Sequence, residues 1–308
     1  MESIRVFAPA SVANVSCGYD IFGFAIHEKG DEITLKKRAD HKLHIESIEG
    51  ADLPTRPDKN VATVAIASLL NHLGSNQGFD VHIKKIIPPS SGLGSSACSA
   101  SGAVFAASEL MQTGLSKHEL VPYAMDGEIV ASQKAHADNI APAMLGGFTV
   151  VRSCEPEVDI FQIDYPEDLH ALIIFPQIEI KTSEAKQILG NTVDLGKARE
   201  QWGNVAGLVT GLMRKDWDLI QRSMVDVVAE PLRKKLIPHY DLVQEIVLAS
   251  GAVGFNISGS GPAMFAFFRD TASATQAIPK IKSIYDRVSI DCLFHISQIN
   301  PSGTTILE

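Results

Sequence analysis

From Ser90 to Ala103 the chain reads SSGLGSSACSASGA, a run of glycine, serine and alanine broken only by Leu93 and Cys98. Such a run suits the holding of an anion. Glycine tolerates positive φ and lets the backbone approach a ligand closely. Successive amides can then point into one concavity, and a helix that begins there adds the positive end of its dipole. Serine hydroxyls add hydrogen bonds and can ligate a hard cation. The stretch FDVHIKKII (79–87) before the run has the composition of a strand, and Ala97 to Met111 after it is rich in alanine and favours a helix. Strand, small-residue loop and helix are the parts a phosphate site needs. A closely packed glycine loop with no ligand is the alternative.

Other uses of the run are weaker. Residues 86–108 carry no charge, but two prolines, three glycines and seven serines make the window too polar to cross hydrocarbon. A flexible linker does not fit the helix-forming residues that follow. No lysine follows the glycines, so this is not a GxxxxGK[ST] loop. Gly92 to Ala97 matches GxGxx[GA] formally, yet Pro88 and Pro89 separate it from the strand, and only GLSKHE (114–119) stands about 20 residues on.

The rest of the chain must position this loop. Its 308 residues, 45% hydrophobic and 20% charged, are enough for two domains with substantial cores. A net charge of −9 argues against a nucleic-acid or anionic-membrane surface, so a phosphate ligand would depend on local amides, a helix end and a metal. Cys17, Cys98, Cys154 and Cys292 are widely spaced with no CxxC pair, as expected of free thiols in a reducing compartment. MESIRVFAPASVAN lacks the pattern of a signal peptide, and a cytoplasmic location is expected.

Patterning predicts strands at 3–8, 31–37, 79–87 and 146–153, and helices at 58–74, 97–111 and 117–134. CEPEVD (154–159) marks a boundary. The second half restarts with a strand at 168–176, then helices near 183–190, 197–214, 217–236 and 240–250. VGFNISGSGPAMFAFF (253–268) reads as strand, glycine bend, strand; a helix near 272–286 and a strand at 289–296 close the pattern. The order β–α–β–β–α–β suits a split βαβ sandwich.

Three segments, PASVANVSCGYDIFG (9–23), PPSSGLGSSACSA (88–100) and ISGSGPAMFAF (257–267), resemble in order and spacing the three motifs of the GHMP small-molecule kinases. That superfamily covers galactokinase, homoserine kinase, mevalonate kinase and phosphomevalonate kinase. PDKNVA (57–62), KAHADNIAPAMLGGF (134–148), IKTSEAKQIL (180–189) and EPLRKKLIP (230–238) resemble its homoserine kinase branch. The resemblance implies an α+β fold of two domains, a mixed α/β N-terminal domain (1–156) and a ferredoxin-like C-terminal sandwich (157–308), with the active site between them. It implies ATP-dependent phosphorylation of the L-homoserine hydroxyl in threonine biosynthesis, with Mg²⁺, in a homodimer.

Residue by residue, the resemblance implies a nucleotide loop of Pro89, Ser90, Ser91, Gly92, Leu93, Gly94, Ser95, Ser96, Ala97, Cys98 and Ser99, with Asn60 on the adenine side. Ser96 and Glu128 match the metal ligands, an oxygen pair suited to Mg²⁺. Asn14, Asp20, His136, Thr182 and Arg233 match amino-acid-binding positions, Asp20 facing the ammonium and Arg233 the carboxylate. Lys186 stands where this family often has arginine, which keeps the charge but loses the fork. Asn139 is expected to orient the reacting hydroxyl, with Asp138 structural rather than a base, and Gly259 to help close the site. On the residues alone, bland roles stay open: Asn60 as a helix cap, Asp20 as a turn residue, Glu128 and Arg233 as helix surface charges, His136 as a structural histidine. Another GHMP kinase, acting on mevalonate, a sugar or shikimate, and a non-catalytic sensor of the same fold are the rival functions.

Overall fold

The computed structural model describes residues 1–132, 135–180, 185 and 187–307. Two sheets packed face to face organise them. The first is built around one long strand, β2 (Phe22–Arg38), antiparallel to β1 (Ser3–Ala13) along its length. The second half of β2 also pairs with β4 (Gly78–Lys84) and its start with β5 (Phe148–Ser153). β3 (Leu43–Glu49) lies parallel to β4, β6 (Asp159–Ile163) extends β5, and β11 (Thr305–Leu307) returns to β1. The second sheet has the order β10 (Cys292–Gln298), β7 (His170–Pro176), β9 (Met264–Phe268), β8 (Gly254–Ile257), all antiparallel. Numbered within that unit the order is 4-1-3-2, the split βαβ arrangement predicted from the second half.

Four helices share one core with the first sheet, α1 (Val61–His72), α2 (Ser95–Met111), α3 (Lys117–Ser132) and α4 (Ala137–Leu145), with α3 lying against the other three. Ile33, Leu35, Val81 and Ile83 alternate toward them, as period 2 requires. The inner faces meet through phenylalanines, with Phe24 5.7 Å from Phe265 and 5.3 Å from Phe267 between ring centroids. Truncating such a ring to alanine costs about 3–5 kcal/mol, so this layer fixes how the sheets sit. On the far side of the second sheet lie α8 (Tyr240–Ala249) and α9 (Thr271–Asp286), while α5 (Leu195–Arg214) and α6 (Trp217–Ser223) pack at its inner edge. No helix among the described residues is long and apolar enough to cross a membrane.

The predicted helix over 217–236 is broken. It ends at Ser223, and only the short α7 (Glu230–Arg233) and a 3₁₀ turn at 234–236 follow. Asp226 causes the break, taking the amides of Val228, Ala229 and Glu230 on its carboxylate in place of helix carbonyls. Helix α4 was not anticipated, nor were β3, β6 and β11. Of the helix predicted near 183–190, residues 183, 184 and 186 lie outside the described residues, Ala185 and Gln187 are helical, and a turn follows at 188–189. β6 and β11 belong to the first sheet although they follow residue 156.

Candidate active site

The small-residue run divides between two jobs. Its second half packs: Ala97 to Ala107 is buried throughout, and a Cβ on Gly102 would come within 2.8 Å of Ile33. Small side chains let α2 lie directly on β1 and β2. Its first half bends over a cavity. Ser90, Gly92 and Gly94 have φ of 58°, 82° and 64°, and a Cβ on Gly94 would meet Ser11 Oγ at 2.0 Å and Asn139 Oδ1 at 3.0 Å. Gly94 supplies no side-chain cap, so the first-turn amides of α2 are not claimed by one. They form the positive end of a helix at the cavity wall.

The cavity, about 370 Å³, gathers residues from the three motifs. Asn14 and Asp20, Asn60, the loop from Pro89 to Ser96 apart from Leu93, Ser99, Glu128, His136, Asn139, Arg233 and Gly259 all line it. Leu93, Ala97 and Cys98 do not: their side chains are in the core, and Cys98 Sγ faces the Pro9 carbonyl at 3.2 Å. Only their backbone could serve a nucleotide. Thr182 and Lys186 lie outside the described residues.

Ser96 Oγ donates to Glu128 Oε1, and Glu128 Oε2 is 3.0 Å from His136 Nδ1. Glu128 is 2% exposed, which sets aside a solvated helix carboxylate. A hydroxyl and a carboxylate meeting at the end of an anion-binding helix are an oxygen donor set suited to a hard cation. Among the described residues no group of three His, Cys, Asp or Glu could hold a metal.

Asn60 caps α1, accepting from the Ala62 amide at 3.0 Å and donating to the Pro54 carbonyl at 2.8 Å. It lines the cavity from that fixed position. Asn139 Oδ1 accepts from Ser11 Oγ at 3.1 Å, which sets its amide beside the loop. Asn14 and Asp20 both have φ of 56°, and Asn14 Oδ1 accepts the Asp20 amide at 2.7 Å, so the first motif is a tight turn. Arg233, 4% exposed, donates from Nε to the Ala185 carbonyl at 3.1 Å and from Nη1 to the Gly259 carbonyl at 2.9 Å. Its guanidinium also lies 5.0 Å from the centre of the Tyr19 ring. This is a buried, oriented cation and not a surface charge.

Two features escaped the sequence analysis. Tyr19 lines the cavity against Arg233, and burial pushes its hydroxyl above the ordinary tyrosine range. Beneath the loop, Lys85 Nζ pairs with Asp31 and donates to the Ser95 carbonyl at 2.7 Å and to Ser99 Oγ at 3.2 Å. Asp31 in turn accepts the Ile86 and Ile87 amides at 3.0 and 3.3 Å. A signal existed for this pair: Asp31 continues the inward phase of Ile33 and Leu35, and Lys85 that of Val81 and Ile83. Asp138 is buried beside Asp20 and Glu128. Burial, with the charge of Asp20, pushes its carboxyl up to about 7.

A glycine-serine loop at a helix end, with a hydroxyl–carboxylate pair, Asp20 and Arg233 on the same cavity, is an arrangement suited to a small-molecule kinase. Comparison with known proteins agrees. Residues 60–147 match the family model for the GHMP kinases N terminal domain, and residues 208–287 the model for GHMP kinases C terminal. A homoserine kinase of Chlorobaculum tepidum is 42% identical over all of this chain and 99% of its own, and one of Chlorobium phaeobacteroides 44% identical over all of both. The crystal structure of homoserine kinase from Cytophaga hutchinsonii superposes with a TM-score of 0.96 at 41% identity, covering 100% of this chain and 98% of that one. The chain belongs to the homoserine kinase family of the GHMP kinases.

Proposed function

We propose that the protein transfers the γ-phosphoryl group of ATP to the hydroxyl of L-homoserine. One observation carries this beyond family membership: the loop and the Ser96–Glu128 pair line the same cavity as Asp20 and Arg233. An amino-acid alcohol bound between those charges would present its hydroxyl toward the loop. Asp20 faces the ammonium, Arg233 the carboxylate, and Asn14, His136 and Gly259 complete the substrate wall, with Thr182 and Lys186 as further contacts. Asn139, fixed by Ser11, orients the hydroxyl.

The loop amides from Ser90 to Ser99 and the start of α2 receive the phosphates, Asn60 the adenine side. Mg²⁺, held by Ser96 and Glu128 with water and phosphate oxygens, would neutralise charge on the transferred group. The rest is alignment, since in-line phosphoryl transfer asks mainly for positioning and charge stabilisation. Asp138 is structural in this reading. We further propose residues 1–156 and 157–308 as the two domains, a homodimer as the assembly and the cytoplasm as the location.

The test is ADP release from Mg·ATP with homoserine, mevalonate, galactose or shikimate, run beside a Ser96→Ala/Glu128→Gln double variant. Release with homoserine alone, lost in the variant, is the expected result. Release with another alcohol would leave the nucleotide half standing and remove the roles of Asp20, His136 and Arg233. ATP binding without turnover would favour a sensor.

A further inference from the structure

Asp20 and Arg233 reach the cavity on stretches of chain more than 200 residues apart. One side chain that does not line the cavity is bonded to both stretches. Gln201 sits on α5 among the residues that helix buries, Leu208, Gly211 and Leu212, where the pattern calls for another leucine. Its amide is fully engaged: Nε2 donates to the Cys17 carbonyl and to Asp226 Oδ1, both at 2.9 Å. Oε1 accepts the Val227 amide, also at 2.9 Å.

Each partner leads to one end of the amino-acid site. Cys17 lies in the turn between Asn14 and Asp20. Asp226 organises the turn that starts α7, taking three successive amides at 2.8 to 3.0 Å, and α7 ends in Arg233. Gln201 thus ties the loop bearing the ammonium partner to the turn bearing the carboxylate partner, from behind the cavity.

We infer that Gln201 is a positioning residue that sets the separation of Asp20 and Arg233, and so the affinity for the amino-acid substrate. The inference rests on the homoserine reading above. A bound substrate with charges at both ends senses that separation directly, whereas the nucleotide loop lies between β4 and α2 and none of the Gln201 hydrogen bonds reaches it. Replacing the amide by an apolar side chain of similar volume leaves buried donors and acceptors unpaired at both turns.

The experiment compares wild-type protein with Gln201→Met, measuring KM for homoserine and for ATP, kcat and the thermal midpoint. The expected result is a homoserine KM raised about tenfold or more with the ATP KM within about twofold. In an Asp20→Ala background the same substitution should add less than about threefold, because the contact it positions is already gone. An unchanged homoserine KM, equal rises for both substrates, or full additivity with Asp20→Ala would overturn the inference. Should Gln201→Met not fold, Asp226→Asn, which keeps shape and one acceptor oxygen, carries the same expectation on the two KM values. A wild type that releases no ADP with homoserine sinks the substrate reading, and this inference with it. An active wild type with an indifferent variant sinks this inference alone.

Discussion

Asn14 Nδ2 and Arg233 Nη1 donate to the same oxygen, the Gly259 carbonyl, each at 2.9 Å. The first motif, the third motif and the α7 turn therefore converge on one acceptor. Gly259 has φ of 58°, and a Cβ there would meet the Gly92 carbonyl oxygen at 3.1 Å, so the loop over the cavity closes on the same point.

Arg233→Lys should therefore fail despite keeping the charge. Nε and Nη1 reach two carbonyls in different directions, which a single ammonium on a flexible stem cannot reproduce while also meeting a carboxylate. We expect kcat/KM for homoserine to fall about 100-fold, near 2.7 kcal/mol, mostly through KM, with ATP KM little changed. Steady-state kinetics in both substrates checks this; equal loss in both would point to a collapsed site.

Glu128→Gln keeps the shape of the Ser96 contact but removes the charge that would meet a cation. The expected outcome is a kcat at least 100-fold lower and a magnesium titration shifted to higher concentration, since the one charged group of the proposed ligand pair becomes neutral. A magnesium dependence identical to wild type would remove Glu128 from the metal site.

The Asp31–Lys85 pair carries a stability prediction. Both side chains are almost wholly buried, 0% and 2% exposed, under the phosphate loop. Removing one partner strands the other charge, which costs about 3–5 kcal/mol, whereas replacing both by apolar groups is far milder. Asp31→Ala should lower the unfolding free energy by that amount, and Asp31→Leu/Lys85→Met should recover the part due to the stranded charge, while the Ile86 and Ile87 amides lose their acceptor in both variants. Urea unfolding measures both. The double variant should still turn over poorly, because Lys85 also holds the Ser95 carbonyl at the head of α2.

How much of this could be read in the chain follows from what each element depends on. The loop and α2 were legible because glycine and serine spacing, a preceding strand and an alanine-rich run are local signals. Helix α4 was not: ADNIAPAML carries Pro142 in its middle, and its burial comes from the other helices and β1. β11 is three residues whose only reason to be a strand is the edge of β1. Arg233 looks like one cation among several in EPLRKKLIP, and burial, the carbonyls of Ala185 and Gly259 and the Tyr19 ring distinguish it from Lys234 and Lys235. Gln201 had no local signal beyond being polar in an apolar stripe.

Asp138 links pH to stability with a definite sign. Burial, and then the charge of Asp20, raises its carboxyl to about 7 in the folded protein, whereas in an unfolded chain an aspartate titrates near 4. Between about pH 4 and 7 the native state thus holds a proton that the unfolded state has released. Stability contributed by this group falls as pH rises through that window, by up to about 1.4 kcal/mol per pH unit, and levels off above it. Asp138→Asn, neutral throughout, should flatten the slope and stabilise the protein relative to wild type at pH 8, as read by urea midpoints from pH 4 to 8. It should also keep turnover within about tenfold if, as proposed, the aspartate is structural and not the base. A loss of several orders of magnitude in kcat, with folding and homoserine binding intact, would assign the proton to Asp138 instead.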